Sequence, residues 1–442
     1  LFLAGIAGII AKVLVIFAGF LIIKGIVNMP DLVAKNLQTA IQSIPSGGGQ
    51  QTVIAKDVNF FDYKGNITNS YTKAEFLALT ELPALPTDTV MTYTAWNWTL
   101  ANAKTYVTNY GRLHIGGLCQ TTDGKMRIYI NLFDNMLKPT LNLGVNGSVT
   151  IDWGDGSSTN SMTGTSVTTM KSQAHTYTSP GDYVIEITPS NSSTRIGIVG
   201  TSSVHQLIYN NGLYSYCSAI TKVELPANVT FGNRPFHTAY SLKEINIPAS
   251  TTFNGTAYFQ ACYSLRHLNL PSGLDDMDTS FVYYCSSLQH ISIPKSVTTI
   301  SANALYYCFS LQDICLPDGF AKINSNTFST CYALKNVVFP ASVNNIGTSA
   351  FTSCNSIESF TFYGNITQIS SSAFNNCRSA QYFNFTHCIS VPTLNSNNVF
   401  SGTPDDSVII VPDSLYNSWI SATNWSDSAI VSKIIKESEW DG

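Results

Sequence analysis

Charged residues are scarce in this chain, and there is no excess of basic ones. Only 11% of the 442 residues are Asp, Glu, Lys or Arg, and the formal net charge is −4. A nucleic-acid-binding protein needs a basic patch or stripe, so the composition excludes that function class. Because 44% of the residues are hydrophobic, the chain is too apolar to be disordered, and its surface polarity must come from Asn, Ser and Thr. This usage is typical of a secreted or virion-displayed protein.

Catalytic motifs are also missing. The sequence contains no Gly-x-Ser-x-Gly elbow, no phosphate-binding loop and no His-Glu-x-x-His motif. It contains no Cys-x-x-Cys pair, which argues against structural zinc. We therefore expect a non-enzymatic protein with no catalytic residue, metal or cofactor. A glycoside hydrolase with an Asp/Glu pair is the enzymatic alternative, although the repeats described next offer few carboxylates at matched positions.

A 23-residue repeat occupies the second half of the chain. Each copy begins Cys-x-x-Leu, continues with two hydrophobic residues separated by one other, and reaches a proline, as in Cys262 to Pro271 and Cys285 to Pro294. A fixed period of this length indicates a solenoid, in which stacked repeats share one core. The alternation Leu268-Asn-Leu270 predicts a short strand in each repeat, with neighbouring strands about 4.8 Å apart.

Seven of the ten cysteines hold one position of this repeat. They follow one another in 23-residue steps from Cys262 to Cys377, and Cys217 is an earlier member of the series. We expect a ladder of small buried thiols inside the coil. Disulfides between neighbouring rungs are the alternative in an oxidising compartment.

The repeat resembles that of the BspA-type leucine-rich-repeat surface proteins. Their pattern is Cys-x-x-Leu-x-x-Ile-x-Leu-Pro, followed by a Val-x-x-Ile phrase and an aromatic residue before the next cysteine. The resemblance covers about half of the chain and implies a leucine-rich-repeat solenoid at residues 213–402. Ile409 to Asp413 and Trp419 to Ile435 resemble the terminal cap of such arrays, which predicts a last strand and a helix within residues 403–442.

The start of the chain is almost wholly apolar. Between Leu1 and Val27 only Lys12 and Lys24 are charged, and a helix of this length, about 40 Å, would cross a bilayer. We expect a hydrophobic helix at residues 1–28 that is either a membrane anchor or a buried assembly element. A short helix and a Gly-rich linker follow at residues 29–51. Small residues at helix-packing spacing are the candidate assembly or membrane contacts: Ala4, Gly5, Ala7, Gly8 and Ala11.

Residues 52–137 predict a small α+β module. Thr72-Lys-Ala-Glu75 is a capping box that opens a helix to Leu79, and a second helix is expected from about Leu100 to Asn109. Asp123-Gly124 predicts a hairpin between two strands. The phrases that begin at Asp57, Ser70 and Trp96 resemble modules in tail-fibre-like proteins of phages and prophages from gut Firmicutes.

Residues 138–212 change to a pattern of short strands. Trp153-Gly-Asp155-Gly156, His175-Thr-Tyr177 and Gly181-Asp-Tyr183 resemble the motifs of the PKD domain, an immunoglobulin-like β-sandwich. The resemblance implies a spacer or adhesive unit. Asp152 and Asp155 either fix the turn between the strands or bind calcium.

Two stripes of the solenoid are candidate ligand-binding surfaces. His267, His290 and Asp313 share one outward strand position, where they are either ordinary solvent-facing residues or a polar or metal-binding column. The second stripe, the aromatic stripe, lies near the cysteine turn. Tyrosine gives rigid amphipathic contact area for sugar or protein recognition, although rings that only fill gaps between rungs are the alternative. The aromatic stripe consists of Tyr263, Tyr283, Tyr284, Tyr306, Tyr307, Phe309 and Tyr332.

These features together predict a mainly β multidomain protein with an N-terminal hydrophobic α-helix, an α+β module, an immunoglobulin-like sandwich and a capped leucine-rich-repeat solenoid. The predicted function is non-enzymatic adhesion or receptor binding outside the cell, as part of a phage or prophage tail. The expected partners are a cell-surface glycan or protein receptor, other copies through the N-terminal helix, and possible membrane contact, with no nucleic acid. A membrane-anchored bacterial adhesin and a pilin-like filament subunit are the alternatives.

Overall fold

The computed structural model describes residues 56–134, 136–199, 207–209 and 216–441. The predicted hydrophobic helix at residues 1–28 and the linker at residues 29–51 lie outside these ranges. Within the ranges, no helix is both long enough and apolar enough to cross a membrane. The described part is mainly β, with few and short helices.

The first module contains four strands and two helices. They are β1 (Val58–Phe61), β2 (Ile67–Tyr71), α1 (Lys73–Ala78), β3 (Met91–Trp96), α2 (Leu100–Tyr110) and β4 (Leu113–Thr121). The sheet order is β2-β1-β4-β3. Both predicted helices are confirmed, and Thr72 and Glu75 form the predicted capping box. Gly111, with φ of +79°, ends α2 in the left-handed conformation that glycine tolerates best.

The solenoid winds through two columns of short strands. The first column contains β11 (Ile220–Glu224), β13 (Glu244–Ile245), β15 (His267–Asn269), β17 (His290–Ser292), β19 (Asp313–Cys315), β21 (Asn336–Val338), β23 (Ser359–Thr361), β25 (Tyr382–Asn384), β27 (Val408–Val411) and β28 (Ile434–Lys436). The second contains β12 (Val229–Phe231), β14 (Thr252–Phe253), β16 (Asp276–Met277), β18 (Thr299–Ile300), β20 (Lys322–Ile323), β22 (Asn345–Ile346), β24 (Gln368–Ile369) and β26 (Thr393–Leu394). The pairs are parallel, and His267 lies opposite His290 as the 23-residue period requires.

The strands before the solenoid cover its first rung. They are β5 (Met126–Leu132), β6 (Thr140–Asp152), β7 (Asn160–Ala174), β8 (Gly181–Pro189), β9 (Arg195–Ile198) and β10 (Ile208–Tyr209). β5 pairs with β11 and β9 pairs with β12, so one ten-stranded hydrogen-bonded sheet runs from this region into the solenoid. The two-sheet sandwich predicted for residues 138–212 is not confirmed, because β8 and β9 share one edge of β6 while β7 takes the other.

The hairpin predicted at Asp123-Gly124 is wrong. Gly124 does adopt a turn conformation, with φ of +72°. However, β4 pairs with β1 and β3, whereas β5 pairs with β8 and β11. Both edges of each strand are therefore taken by other partners, and the turn leads the chain from one sheet into another. The boundary predicted between residues 137 and 138 consequently lies after β5, which belongs to the ten-stranded sheet and not to the sheet of the first module.

The cysteine ladder lies inside the coil. From Cys262 to Cys377 each thiol donates its S–H to a backbone oxygen 26 residues earlier, as Cys285 does to Phe259 at 3.1 Å. All ten cysteines are within the described ranges, and each is a buried free thiol. The buried-thiol prediction is confirmed. The rungs share one hydrophobic core, which extends from Met126 to Ile434.

Two residues in each repeat have a left-handed backbone. One series runs in 23-residue steps from Arg234 to Ser372, and the other runs in the same steps from Thr238 to Asn376. From Ala261 onwards, each member of the second series stands directly before a ladder cysteine. This conformation costs an ordinary L residue roughly 1–2 kcal/mol. The tight turns of the coil are therefore held by the packing of each rung on the next.

The C-terminal cap differs from the predicted strand and single helix. After β27 come a 3₁₀ turn (Asp413–Leu415), α3 (Tyr416–Ser421) and α4 (Ser428–Val431). The chain then returns as β28, which pairs in parallel with β27, so the helix expected to reach Ile435 is wrong at its end. Ile434 packs into the solenoid core, and this burial favours a further rung over a longer helix. Two other 3₁₀ turns are Tyr216–Ala219 and Glu437–Glu439.

Candidate functional site

The first module packs on the outward face of the solenoid. β4 lies over β15, β17 and β19. His267, His290 and Asp313 are consequently only 4%, 6% and 4% exposed, and the expectation that these positions face solvent is wrong. Cys315 and Val338, which are also outward strand residues, belong to one buried cluster with the core of the module.

Side chains of the module bind a row of solenoid carbonyl groups. The row consists of the residues that precede the strand-ending prolines, Leu270, Ile293 and Leu316. Asn97 Nδ2 donates to Leu270 O at 3.0 Å, and Trp98 Nε1 donates to Ile293 O at 2.9 Å. The Tyr106 hydroxyl donates to Leu316 O at 2.7 Å. The module therefore binds one carbonyl of this row on each of three successive rungs.

The solenoid donates hydrogen bonds in return. Asn269 Nδ2 lies 3.0 Å from Asp62 O and 3.1 Å from Gly117 O. Asn246 Nδ2 donates to Cys119 O at 2.9 Å, one rung earlier. These contacts are paired on both sides, so the polar outward face of β15, β17 and β19 is an intramolecular interface.

A cluster of ionisable side chains lies within this interface. His114 Nδ1, from β4, is 3.4 Å from Asp313 Oδ1, and His290 Nδ1 is 3.5 Å from the same oxygen. The phenyl ring of Phe61 packs against both imidazole rings, with centroids 5.4 and 5.3 Å away. One atom from each of the three ionisable side chains lies within 4.8 Å of the other two, a span that one metal ion can bridge.

Burial and mutual proximity set the ionisation of this cluster. Burial lowers the pKa of His114, although the Asp313 carboxylate opposes the change. Burial alone would raise the pKa of Asp313, but the nearby His114 and His290 outweigh it and lower that pKa. In both groups, burial and the attraction between imidazole and carboxylate therefore act on the pKa in opposite directions.

The polar column predicted from the repeat is rearranged. The structure brings His290 and Asp313 together, but the third member is His114 instead of His267. His267 hydrogen-bonds through Nε2 to Asn269 Oδ1 at 2.7 Å, and burial lowers its pKa to about 3. Nothing in the sequence around His114 indicates its role, because that role depends on how a distant module packs.

The aromatic stripe forms a stack along the cysteine turn. Tyr284 and Tyr307 stack at 4.3 Å with ring planes 10° apart, and Tyr306 stacks on Tyr307 at 4.1 Å. One rung further, Phe309 and Tyr332 stack at 5.2 Å. Stacking of this kind stabilises the packing of neighbouring rungs, so these rings have a structural role as well as an accessible surface.

The members of the aromatic stripe differ in exposure. Tyr263 is buried, and Tyr332 is 41% exposed. The other members are half-buried: Tyr283, Tyr284, Tyr306, Tyr307 and Phe309. Six of the seven rings therefore retain surface that a ligand can contact.

The aspartates of the Trp-Gly-Asp-Gly motif fix a turn. Asp152 Oδ1 accepts from the Gly154 N–H at 2.9 Å, and Asp155 Oδ1 accepts from the Ser157 N–H at 3.0 Å. Asp155 Oδ2 also lies 2.8 Å from His175 Nε2. Burial opposes the change, but these hydrogen bonds lower the pKa of Asp155 to about 2. Both carboxylates are used locally, which favours the turn role over calcium binding.

Comparisons with known proteins agree with the repeat geometry. Residues 207–335 and 280–405 match the sequence model of the BspA type Leucine rich repeat region, in six copies. The second half of this chain is therefore a solenoid of BspA-type leucine-rich repeats. A search of curated proteins found no match.

Several solved leucine-rich-repeat structures are similar to parts of the chain. A protein from Bacteroides ovatus is 22% identical over 49% of this chain, with a TM-score of 0.31, and the chain spans 66% of that protein's length. A Leucine Rich Repeat protein from T. pallidum is 20% identical, with 51% of this chain and 86% of that one covered and a TM-score of 0.28. A leucine rich cell surface protein from Faecalibacterium prausnitzii is 17% identical, with 52% and 93% covered and a TM-score of 0.21.

Proposed function

We propose that this protein is a non-enzymatic recognition protein displayed on a surface, and that the aromatic stripe contacts a glycan or protein receptor. The observation that carries the proposal is the stack of partly exposed rings from Tyr283 to Tyr332 along one edge of the solenoid. Rings fixed by stacking lose little conformational entropy on binding, and their faces suit both sugars and protein side chains.

The buried interface supports this choice of surface. The outward face of β15, β17 and β19 is covered by β4 and therefore offers no area to an external ligand. The cysteine turn, in contrast, keeps several partly exposed aromatic rings on consecutive rungs. A receptor that follows the solenoid axis would contact one or two rings on each rung.

The non-enzymatic part of the proposal follows from where the reactive groups lie. His114, His290 and Asp313 are residue types used in hydrolytic sites, but their side chains are only 2% to 7% exposed. A polymeric substrate cannot reach them while β4 is in place. A structural role fits this position better than catalysis.

The place of display is the finer part of the proposal. The resemblance of the phrases from Asp57 to Trp98 to tail-fibre-like modules, together with the apolar residues 1–28, favours a phage or prophage tail in which the N-terminal segment assembles copies. The BspA-type repeats equally support a cell-surface adhesin with residues 1–28 as its membrane anchor. A filament with an N-terminal helical core is a third arrangement of the same parts.

The test of the recognition proposal uses the full chain in detergent on a glycan array and on intact gut bacteria. For any ligand found, Tyr307→Ala and Tyr332→Ala should weaken binding by about tenfold or more. Tyr382→Ala is the matched control, because Tyr382 is also 41% exposed but lies on β25, away from the stripe. Equal loss in all three variants, or release of cleaved glycan by the wild-type chain, would contradict the proposal.

A further inference from the structure

We propose that His114, His290 and Asp313 bind one divalent transition-metal ion, and that Zn²⁺ is the best match. The three side chains come from β4, β17 and β19, so the site combines the first module with two rungs of the solenoid. This inference does not depend on the ligand proposed for the aromatic stripe.

The spacing of the three side chains fits a zinc site. Ligand atoms at about 2.0–2.1 Å from a tetrahedral zinc ion are about 3.3–3.4 Å from one another. Asp313 Oδ1 is 3.4 Å from His114 Nδ1 and 3.5 Å from His290 Nδ1. Both distances exceed the usual range of an N–H···O hydrogen bond, about 2.7–3.2 Å. The two distances from Asp313 therefore match the spacing of ligands around one zinc ion better than that of direct hydrogen bonds, and the ligand atoms of His114 and His290 lie within 4.8 Å of each other.

Buried polar atoms in the cluster have no hydrogen-bond partner. They are both ring nitrogens of His114, Nδ1 of His290 and Oδ1 of Asp313. The neighbouring Asn97 and Asn269 are hydrogen-bonded in the same interface. Nδ1 of His267 is also unpaired there, but it lies outside the group of three that one ion can bridge. A bound metal ion would satisfy one atom from each of the three side chains at once.

The donor set selects the type of metal. Two imidazole nitrogens and one carboxylate oxygen suit zinc and its neighbours in the first transition row. Calcium and magnesium prefer oxygen ligands throughout, so this site would discriminate against them. Because His114 reaches the other two ligands only when β4 is packed on the solenoid, the ion would stabilise that packing directly.

The experiment begins with the full chain expressed in zinc-supplemented medium and purified without chelator. Mass spectrometry of the metal content should give about one zinc per folded chain. The protein is then unfolded with a chelator and refolded with or without metal. Zinc should raise the thermal midpoint by a few degrees, and Co²⁺ should give the visible absorption of a tetrahedral site. Folded wild-type protein that stays substoichiometric after refolding with excess zinc would overturn the proposal.

Matched variants locate the metal. His114→Gln and Asp313→Asn keep side-chain size and should lose the zinc and the cobalt spectrum. His267→Gln is the control, because His267 is as buried as His290 and belongs to the same column but lies outside the cluster. Zinc retained by both ligand variants would refute the assignment. If those variants do not fold, the stoichiometry and cobalt spectrum of the wild-type chain decide the question.

Discussion

A Cβ atom on Gly116 would lie 2.3 Å from the side-chain oxygen of Asn269. Gly116 belongs to β4, and Asn269 belongs to the solenoid strand beneath it. Asn269 cannot move aside easily, because its amide nitrogen donates to the backbone of Asp62 and Gly117. The contact between the module and the solenoid therefore requires a residue without a side chain at this position.

Gly116→Ala should weaken the packing of the module. We expect a loss of about 1–3 kcal/mol in the free energy of unfolding, because the methyl group overpacks a buried contact. Gly273→Ala is the control, since its nearest atom is Thr251 O at 3.7 Å. Urea unfolding of the wild type and both variants measures the difference. Equal stability of the Gly116 variant and the wild type would show that β4 is not seated as described.

Asn97→Ala tests the same interface through its hydrogen bonds. The Asn97 side chain donates to Leu270 O and to Ser292 and accepts from the Gly116 N–H at 2.8 Å. Removing it leaves buried partners unpaired, which should cost about 1–3 kcal/mol. Asn109→Ala, an exposed position on α2, should be neutral. Chemical unfolding and limited proteolysis measure the stability of both variants. If only Asn109→Ala lost stability, the proposed role of the Asn97 hydrogen bonds would be contradicted.

The cysteine ladder predicts unreactive thiols. Burial raises the pKa of Cys285, Cys308 and Cys354 well above the usual range, and all ten thiols are buried. A thiol reagent at pH 8 should therefore leave the native protein unmodified. In denaturant, without reductant, all ten thiols should react. A lower count in denaturant would reveal disulfides between rungs, and rapid reaction of the native protein would show that the coil opens.

Asp278 predicts a dependence of stability on pH. Burial raises the pKa of Asp278 to about 7, and the nearby Asp276 carboxylate adds to the increase. The hydrogen bond from the Ala257 N–H lowers this pKa and only partly offsets the effect of burial. In the unfolded chain the pKa of an Asp side chain is about 3.9. Between about pH 4 and pH 7, Asp278 is therefore protonated in the folded state and ionised in the unfolded state. The associated stability is complete below pH 4 and is lost as the pH rises through 7.

Asp278→Asn should remove this dependence. We expect the variant to be more stable than the wild type by about 1–3 kcal/mol at pH 8 and similar at pH 4. Asp275→Asn is the control, because Asp275 is exposed and lies at the other end of β16. Urea titrations at the two pH values measure the effect. A gain at pH 4 as large as that at pH 8 would point to a cause other than ionisation.

The repeat could be predicted from the sequence because its signals are local. The 23-residue period, the alternation at Leu268 and Leu270, and the buried cysteines each depend on the stacking of identical units. The capping box at Thr72 is equally local. These features required no knowledge of how distant segments meet.

The candidate site could not be predicted, because it forms only where β4 of the first module packs on the solenoid. Asn, His and Ser at outward strand positions suit solvent and a hydrogen-bonded interface equally well, and His114 carries no signal of its own. The apolar residues Cys315 and Val338 at outward positions were the available indication that this face is covered. The cap was misread at β28 for a similar reason, since Ile434 gains its burial from the preceding rung.

The row of bonded carbonyls limits how the array can change length during evolution. Asn97, Trp98 and Tyr106 fit acceptors on three consecutive rungs, and the Tyr110 hydroxyl accepts from the Ala341 N–H further along. A duplication or deletion of a repeat between Leu270 and Ala341 would shift one or more of these backbone groups by a whole rung. The side chains of the module would then no longer meet their hydrogen-bond partners. Beyond Ala341, a repeat can be gained or lost before the cap without moving any of them.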